Sequence, residues 1–177
     1  IHRVMSRIDY TAPHEIMLVV DAGTGQNARI VRVRAATCVQ PGISISGFTD
    51  GLLDQAETFD NDDAGIQLAG SSHKWRISNC ASEGNGNVTA AAGILISGSD
   101  QVTVTNCQAK DNAASHGIQF NGCADAQAIG NVCTGNGLSG LDFYNSPGGA
   151  SVGNYCYNNA VRGIEIDSGS SDHRSVA

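Results

Sequence analysis

Long apolar runs are missing from this 177-residue chain. No stretch approaches the roughly 18 to 20 apolar residues that a membrane-spanning helix needs, so no helical membrane span is expected. Aromatic residues are scarce, at 5%. That excludes a broad core built on rings and fits a narrow core of small stacked aliphatics. Positive charge is in deficit, with 10 Lys and Arg against 17 Asp and Glu and a net charge of −7. A nucleic-acid partner is therefore not expected, since such binders present basic surface to phosphates. No segment carries the period of an amphipathic helix. Cys-x-x-Cys pairs are absent and the five His are not spaced as partners, so neither a zinc site nor any other metal or cofactor is expected.

What is present is a repeat. Gly93-Ile94-Leu95-Ile96, Gly117-Ile118-Gln119-Phe120, Gly140-Leu141-Asp142-Phe143 and Gly163-Ile164-Glu165-Ile166 follow one another at 24, 23 and 23 residues. Upstream, Gly65-Ile66-Gln67-Leu68 precedes them by 28, and Gly42-Ile43-Ser44-Ile45 precedes that by 23. Six copies at a near-constant period define a repeat architecture. Each phrase alternates large apolar and variable residues, the pattern of a strand with one buried face. A second phrase follows the first: Ile77-Ser78-Asn79-Cys80, Val104-Thr105-Asn106-Cys107, Ile129-Gly130-Asn131-Val132-Cys133 and Val152-Gly153-Asn154-Tyr155-Cys156. A further Asn closes each unit, at Asn85, Asn112, Asn136 and Asn159. One unit cannot bury a core alone; stacked units can.

Coils of this length, with an apolar-x-apolar strand and an Asn in the turn after the second strand, resemble the right-handed parallel β-helix superfamily of pectate lyases and phage tailspikes. The resemblance covers about residues 30 to 170. It implies an all-β solenoid of about 23-residue coils, with parallel crossovers of the usual hand. Like residues then lie over like residues, roughly 4.8 Å apart. Asn79, Asn106, Asn131 and Asn154 are expected to form one column, and Cys80, Cys107, Cys133 and Cys156 a buried one beside it. In the last two coils the Cys moves one position further from the Asn, which loosens that alignment. The Gly content, 22 residues, is expected to serve corners of positive φ. A ladder of reduced thiols is expected rather than three disulfides, because a buried thiol behaves as a small hydrophobe. Unbridged thiols are compatible with assembly in a cytosol.

Residues 1–177 are read as one β-helix domain, with irregular coils over 1–41 and regular coils over 42–177. The chain opens at Ile1 without a recognisable signal peptide and supplies only part of a seventh coil after Gly163. A fragment of a longer protein is expected, since neither end shows the polar cap that solenoids need. Ile16 to Val20 and Ile30 to Val33 read as strands of earlier coils. Asp21-Ala22-Gly23-Thr24-Gly25 lacks the third glycine of a dinucleotide loop and reads as a turn. Asp50, Asp54, Glu57, Asp60, Asp62 and Asp63 read as a solvated acidic loop rather than a calcium site. Trp75, between His73-Lys74 and Arg76, is either a sugar-stacking platform or a partly buried corner residue.

The residue between the two apolar positions of each tetrad faces outward. That column runs Ser44, Gln67, Leu95, Gln119, Asp142, Glu165. With its flanking columns it gathers His116, Gln119, Asp142, Tyr144, Arg162, Glu165 and Asp167 on the late coils. Asp142, Glu165 and Asp167 are the candidate catalytic residues; His116, Gln119, Tyr144 and Arg162 are candidate substrate-binding residues. Asp142 and Glu165 on adjacent coils are expected about 5 Å apart, near the retaining-glycosidase separation, whereas Asp142 and Asp167 lie nearer the inverting one. A lyase would instead use His116 or Tyr144 as base and Arg162 against a uronate. Three motif sets are missing: the polygalacturonase Asn-Thr-Asp, Asp-Asp, Gly-His-Gly set, the epimerase Asp-Pro-His-Asp and the pectate-lyase Trp-x-Asp-His. No catalytic residue is carried over by motif.

The family resemblance implies a polysaccharide or glycan partner. It points to a tailspike-type depolymerase, hydrolase or lyase, in a virion or extracellular setting and, as tailspikes are, a homotrimer. The alternative is a non-catalytic shaft or glycan-binding adhesin module.

Overall fold

A computed structural model describes residues 18–167 and 169–176. Twenty short strands and no helix are found among the described residues. The first coil holds β1 (Leu18–Gln26), β2 (Arg29–Val31) and β3 (Arg34–Ala36). The second holds β4 (Ile43–Thr49), β5 (Leu52–Asp54) and β6 (Glu57–Phe59). Next come β7 (Ile66–Ala69), β8 (Arg76–Ser78) and β9 (Ala81–Glu83), then β10 (Ile94–Ser97), β11 (Thr103–Thr105) and β12 (Gln108–Lys110). The fifth coil is β13 (Ile118–Asn121), β14 (Gln127–Ile129) and β15 (Val132–Thr134), and the sixth is β16 (Leu141–Tyr144), β17 (Ala150–Val152) and β18 (Tyr155–Tyr157). β19 (Ile164–Ile166) and β20 (Arg174–Val176) belong to a seventh.

Like strands pair with like. The first strands of all coils form sheet A, the second strands sheet B and the third strands sheet C, every pair parallel. The tetrads stack in the expected register: Ile66, Ile94, Ile118, Leu141 and Ile164 fall in one inward column. The chain is thus a solenoid with a repeat of about 24 residues. Its core is a thin aliphatic stack that also takes in Trp75 and two phenyl rings, Phe120 and Phe143, which lie 4.8 Å apart and nearly parallel. Regular winding already begins at β1, whose register with β4 shifts only between Asp21 and Gly25. The expected turn there is part of a strand; Ile16 and Met17 lie outside the described residues.

The asparagine ladder has different members from those expected. Asn79 and Asn106 hold positive φ at a corner, above Gly130 and Gly153 in the same role. The buried column beside them runs Cys80, Cys107, Asn131, Asn154. The Cys107 amide donates to Asn131 Oδ1, and the Asn131 amide to Asn154 Oδ1. Cys133 and Cys156 lie elsewhere, paired on sheet C beneath Ala109. A thiol and a carboxamide share one column because both fit and both accept from the amide of the coil before. No disulfide joins the six cysteines.

The second ladder runs Asn61, Asn85, Asn112, Asn136, Asn159. Asn61 Oδ1 accepts from the Cys38 amide, and from Asn85 onward each Oδ1 accepts from both the backbone and side-chain amide of the Asn one coil earlier. This explains the tetrad glycines, which do not hold positive φ. A Cβ on Gly93 would stand 2.4 Å from Asn112 Nδ2, and one on Gly117 2.7 Å from Asn136 Nδ2. Gly and Asn therefore recur as one packing unit in the tetrads, while corners of positive φ are shared by other glycines, as expected, and by Asn and Asp.

Trp75 is buried, with Nε1 donating to the Phe48 carbonyl at 2.8 Å. It fills the space left by Gly51, where a Cβ would stand 2.1 Å from the indole. A surface stacking role for Trp75 is thereby overturned. The acidic stretch from Asp50 to Asp63 is no single loop. Asp54 accepts from Ser78 and Asn79 on sheet B, Glu57 faces Arg34 on sheet C, and Asp63 accepts from Thr89.

Candidate functional site

Sheet A presents its outward face between two corner columns. Its register sets Leu95, Gln119, Asp142 and Glu165 in one outward file, and Asn121 beside Tyr144 in the next. The inward partners of the same strands, Phe120, Phe143 and Leu141, are fully buried and fix the strands beneath. His116, Ser139 and Arg162 enter from the preceding turn, one per coil.

Five of the seven expected residues form one connected network. Gln119 Nε2 donates to Asp142 Oδ2 at 2.9 Å, and His116 Nε2 lies 3.7 Å from the same oxygen. Arg162 Nη1 donates to Glu165 Oε1 at 2.6 Å. Ser139 joins the two halves: its hydroxyl donates to Glu165 Oε2 at 2.7 Å and its amide donates to His116 Nδ1 at 3.3 Å. Ser139 was not among the expected site residues, although it occupies the same column as His116 and Arg162.

Asp142 faces outward yet is only 4% exposed. Gln119 and Glu165 lie over and under it in the file, and His116 covers it from the turn. Burial pushes its carboxyl above the usual value; the Gln119 hydrogen bond and His116 pull it back, while Glu165 and Asp167 push it further up. The remaining two expected residues behave differently. Asp167 spends Oδ1 on a turn, accepting from the Asn145 and Gly169 amides and the Ser170 hydroxyl. Tyr144 stands 53% exposed, two residues along the strand from Asp142.

His116, Asp142 and Glu165 each offer a ligand atom, all within 4.8 Å of one another. A divalent ion would need the lone pair of His116 Nε2. The Ser139 amide donates to Nδ1, so the neutral ring carries its proton on Nε2 and turns a donor toward Asp142. The trio thus fits proton handling better than metal ligation.

The chain matches the family model for the right-handed beta helix region over residues 18–176 and belongs to that family. Among solved structures it is similar to a variant of the periplasmic alginate epimerase AlgG, at 18% identity and a TM-score of 0.68 over 92% of this chain and 45% of that one. It is likewise similar to the mannuronan C-5 epimerase AlgE4 A-module of Azotobacter vinelandii, at 17% identity and a TM-score of 0.58 over 86% of this chain and 48% of that one. The chain spans about half the length of these structures, and at such identity the likeness is one of fold. A separate 52-residue match, at 46% identity, is to the signal recognition particle receptor FtsY of Haemophilus influenzae. It covers 29% of this chain and 12% of that protein.

Proposed function

We propose that the late-coil face of sheet A is the active site of a polysaccharide depolymerase acting by hydrolysis. The observation that carries this reading is the pairing of Asp142 with Glu165. They are direct ladder partners in contrasting settings, one buried with its proton affinity raised, the other accepting from a guanidinium and a hydroxyl. Two carboxyls set apart in this way divide acid and nucleophile roles. Asp142 gives its proton to the glycosidic oxygen as that bond breaks, and Glu165 attacks the anomeric carbon to form a glycosyl ester. Asp142 then takes a proton from water, which hydrolyses the ester with retention. His116 Nε2–H supports Asp142 in its ionised phase, and Tyr144 offers a ring face to a sugar.

A second reading is uronate chemistry, by elimination or C-5 epimerisation. It is favoured by the two alginate-directed structural neighbours and by Arg162, whose side chain stays 58% exposed while it binds Glu165. A periplasmic neighbour supports a secreted or extracellular setting. A virion origin with a homotrimer is the finer extension of this reading, and sedimentation of the purified protein tests it.

The test is a panel of neutral and acidic polysaccharides, with new reducing ends, unsaturated uronate absorbance and sugar configuration read separately. Hydrolysis predicts reducing ends without absorbance, falling roughly 100-fold or more in Asp142→Asn and in Glu165→Gln. Undiminished cleavage in both variants overturns the assignment. Binding without chain shortening returns the non-catalytic module.

A further inference from the structure

A second face carries charge of the opposite sign. An open cleft of about 550 Å³ runs across the corner between sheets A and B on the early coils. Its walls carry Arg29, Lys74 and Arg76, with Asn27, Gln101 and Thr103 between them. Arg29 and Arg76 occupy the same outward file of sheet B, separated by Leu52. Two strand steps set their Cα atoms roughly 10 Å apart.

These three cations differ from most of the other described Lys and Arg residues. Arg34 faces Glu57 and covers Phe59, Lys110 bridges Glu83 and Asp111, Arg162 holds Glu165, and Arg32 bonds Gln55. Among the described residues, Arg29, Lys74 and Arg76 form no ion pair. Asp54 is near Arg29 but spends Oδ1 on Ser78 and Asn79. One acid, Asp50, also lines the cleft. In a protein of net charge −7, a cleft wall where three cations outnumber one acid runs against the overall charge balance.

We propose that this cleft binds an anionic polysaccharide chain, at a site separate from the acid pair of the late coils. The cations meet carboxylates or sulfate esters, the amides and the Thr103 hydroxyl meet sugar hydroxyls, and Leu52 lies between the arginines under a ring. Single-stranded nucleic acid fits less well, because base stacking needs exposed aromatic faces and the one aromatic at the cleft, Trp75, is buried.

Binding of polygalacturonate, dextran sulfate, neutral dextran and oligothymidylate to the intact chain is measured by affinity electrophoresis at low and high salt. Polygalacturonate and dextran sulfate separate carboxylate from sulfate recognition. The expected result is salt-sensitive binding to at least one of these two, none to dextran, and weaker binding to the oligonucleotide. Arg29→Gln with Arg76→Gln weakens it by roughly tenfold or more, on the scale of lost charge-assisted hydrogen bonds. Asp50→Asn strengthens it, whereas Asp142→Asn with Glu165→Gln leaves it unchanged, which separates this site from the catalytic proposal. Arg29, Asp50 and Arg76 are exposed, and circular dichroism checks that each variant keeps the fold. Equal binding by the arginine variant, loss on changing the acid pair, or tighter binding of oligothymidylate than of either polysaccharide overturns the proposal.

Discussion

Replacing Asn112 by Ala tests the ladder that couples the coils. Asn112 is fully buried. Its Oδ1 accepts from the Asn85 amide at 3.0 Å and from Asn85 Nδ2 at 3.2 Å. Its Nδ2 donates to Asn136 Oδ1 at 2.9 Å and to the Ser82 carbonyl at 3.3 Å. Asn85 Nδ2 keeps Thr58, Ser82 and Glu83 as acceptors. Asn136 Oδ1 keeps the Asn112 amide. The Asn85 backbone N–H loses its acceptor, at about 1–3 kcal/mol for a buried donor left unmade. With the lesser bonds and the small void, Asn112→Ala should cost about 3 kcal/mol, roughly 100-fold in the folding equilibrium. Urea unfolding followed by circular dichroism and by the single buried Trp75 reads this as a lower midpoint; coincident curves license the two-state conversion. Gly93→Ala should be destabilising for the same reason, since its Cβ would meet Asn112 Nδ2 at 2.4 Å. The double variant should cost less than the two single costs added together. A loss below about 1 kcal/mol in Asn112→Ala, or one no larger than in the exposed Asn87→Ala, would refute the reasoning.

Two other outcomes are expected. Asp142→Asn should raise the melting temperature at neutral pH. The folded pKa of Asp142 lies above its ordinary 3.8, so the folded state holds more protons than the unfolded one, and wild-type stability falls as pH rises through that window. Melts from acid to neutral pH should show the gain vanish below 3.8; a gain that persists there contradicts the assignment. Gly51→Ala should cost about 1–3 kcal/mol by overpacking against Trp75, with partial relief in a double variant carrying Trp75→Phe. Fluorescence of Trp75 should shift in the single variant; an unmoved spectrum with unchanged stability denies the contact.

The winding of the chain is readable from the spacing of Gly-led tetrads because a parallel solenoid forces period two along a strand and a fixed period between strands. Corner chemistry is harder to read. Asn79 and Asn131 follow apolar residues in similar phrases, yet one holds a corner of positive φ and the other lies buried one position on. The difference is that Gly130 takes the corner register held by Asn106 one coil earlier, so Asn131 falls in the buried register of Cys107, and residue type alone does not reveal which Asn faces inward. Trp75 misleads for a related cause. Its cationic neighbours face solvent while the pocket that receives it is opened by Gly51, a coil away in sequence. The outward file of the site was legible by alternation. Its hydrogen-bond pattern was not, because Ser139 acts through an amide and a hydroxyl that carry no sequence signature.

The burial of Asp142 follows from the stacking itself. An outward side chain on a flat sheet is normally wet. In a solenoid it has a neighbour about 4.8 Å above and another below, so a file of long side chains dries its middle members. Ser44, Gln67 and Leu95 fill the early part of the file; Gln119, Asp142 and Glu165 fill the late part, and Asp142 has long partners on both sides. Glu165 has Asp142 on one side only among the described residues, and its side chain is correspondingly more exposed, 28% against 6%. Position in the file, rather than the identity of the acid, therefore sets which carboxyl is the more deeply buried. If the proposed chemistry is right, exchanging the two residues should leave the proton donor on β16 and the nucleophile on β19. A pair whose roles travelled with Asp and Glu instead of with the strands would show that local hydrogen bonds, not stacking, divide them.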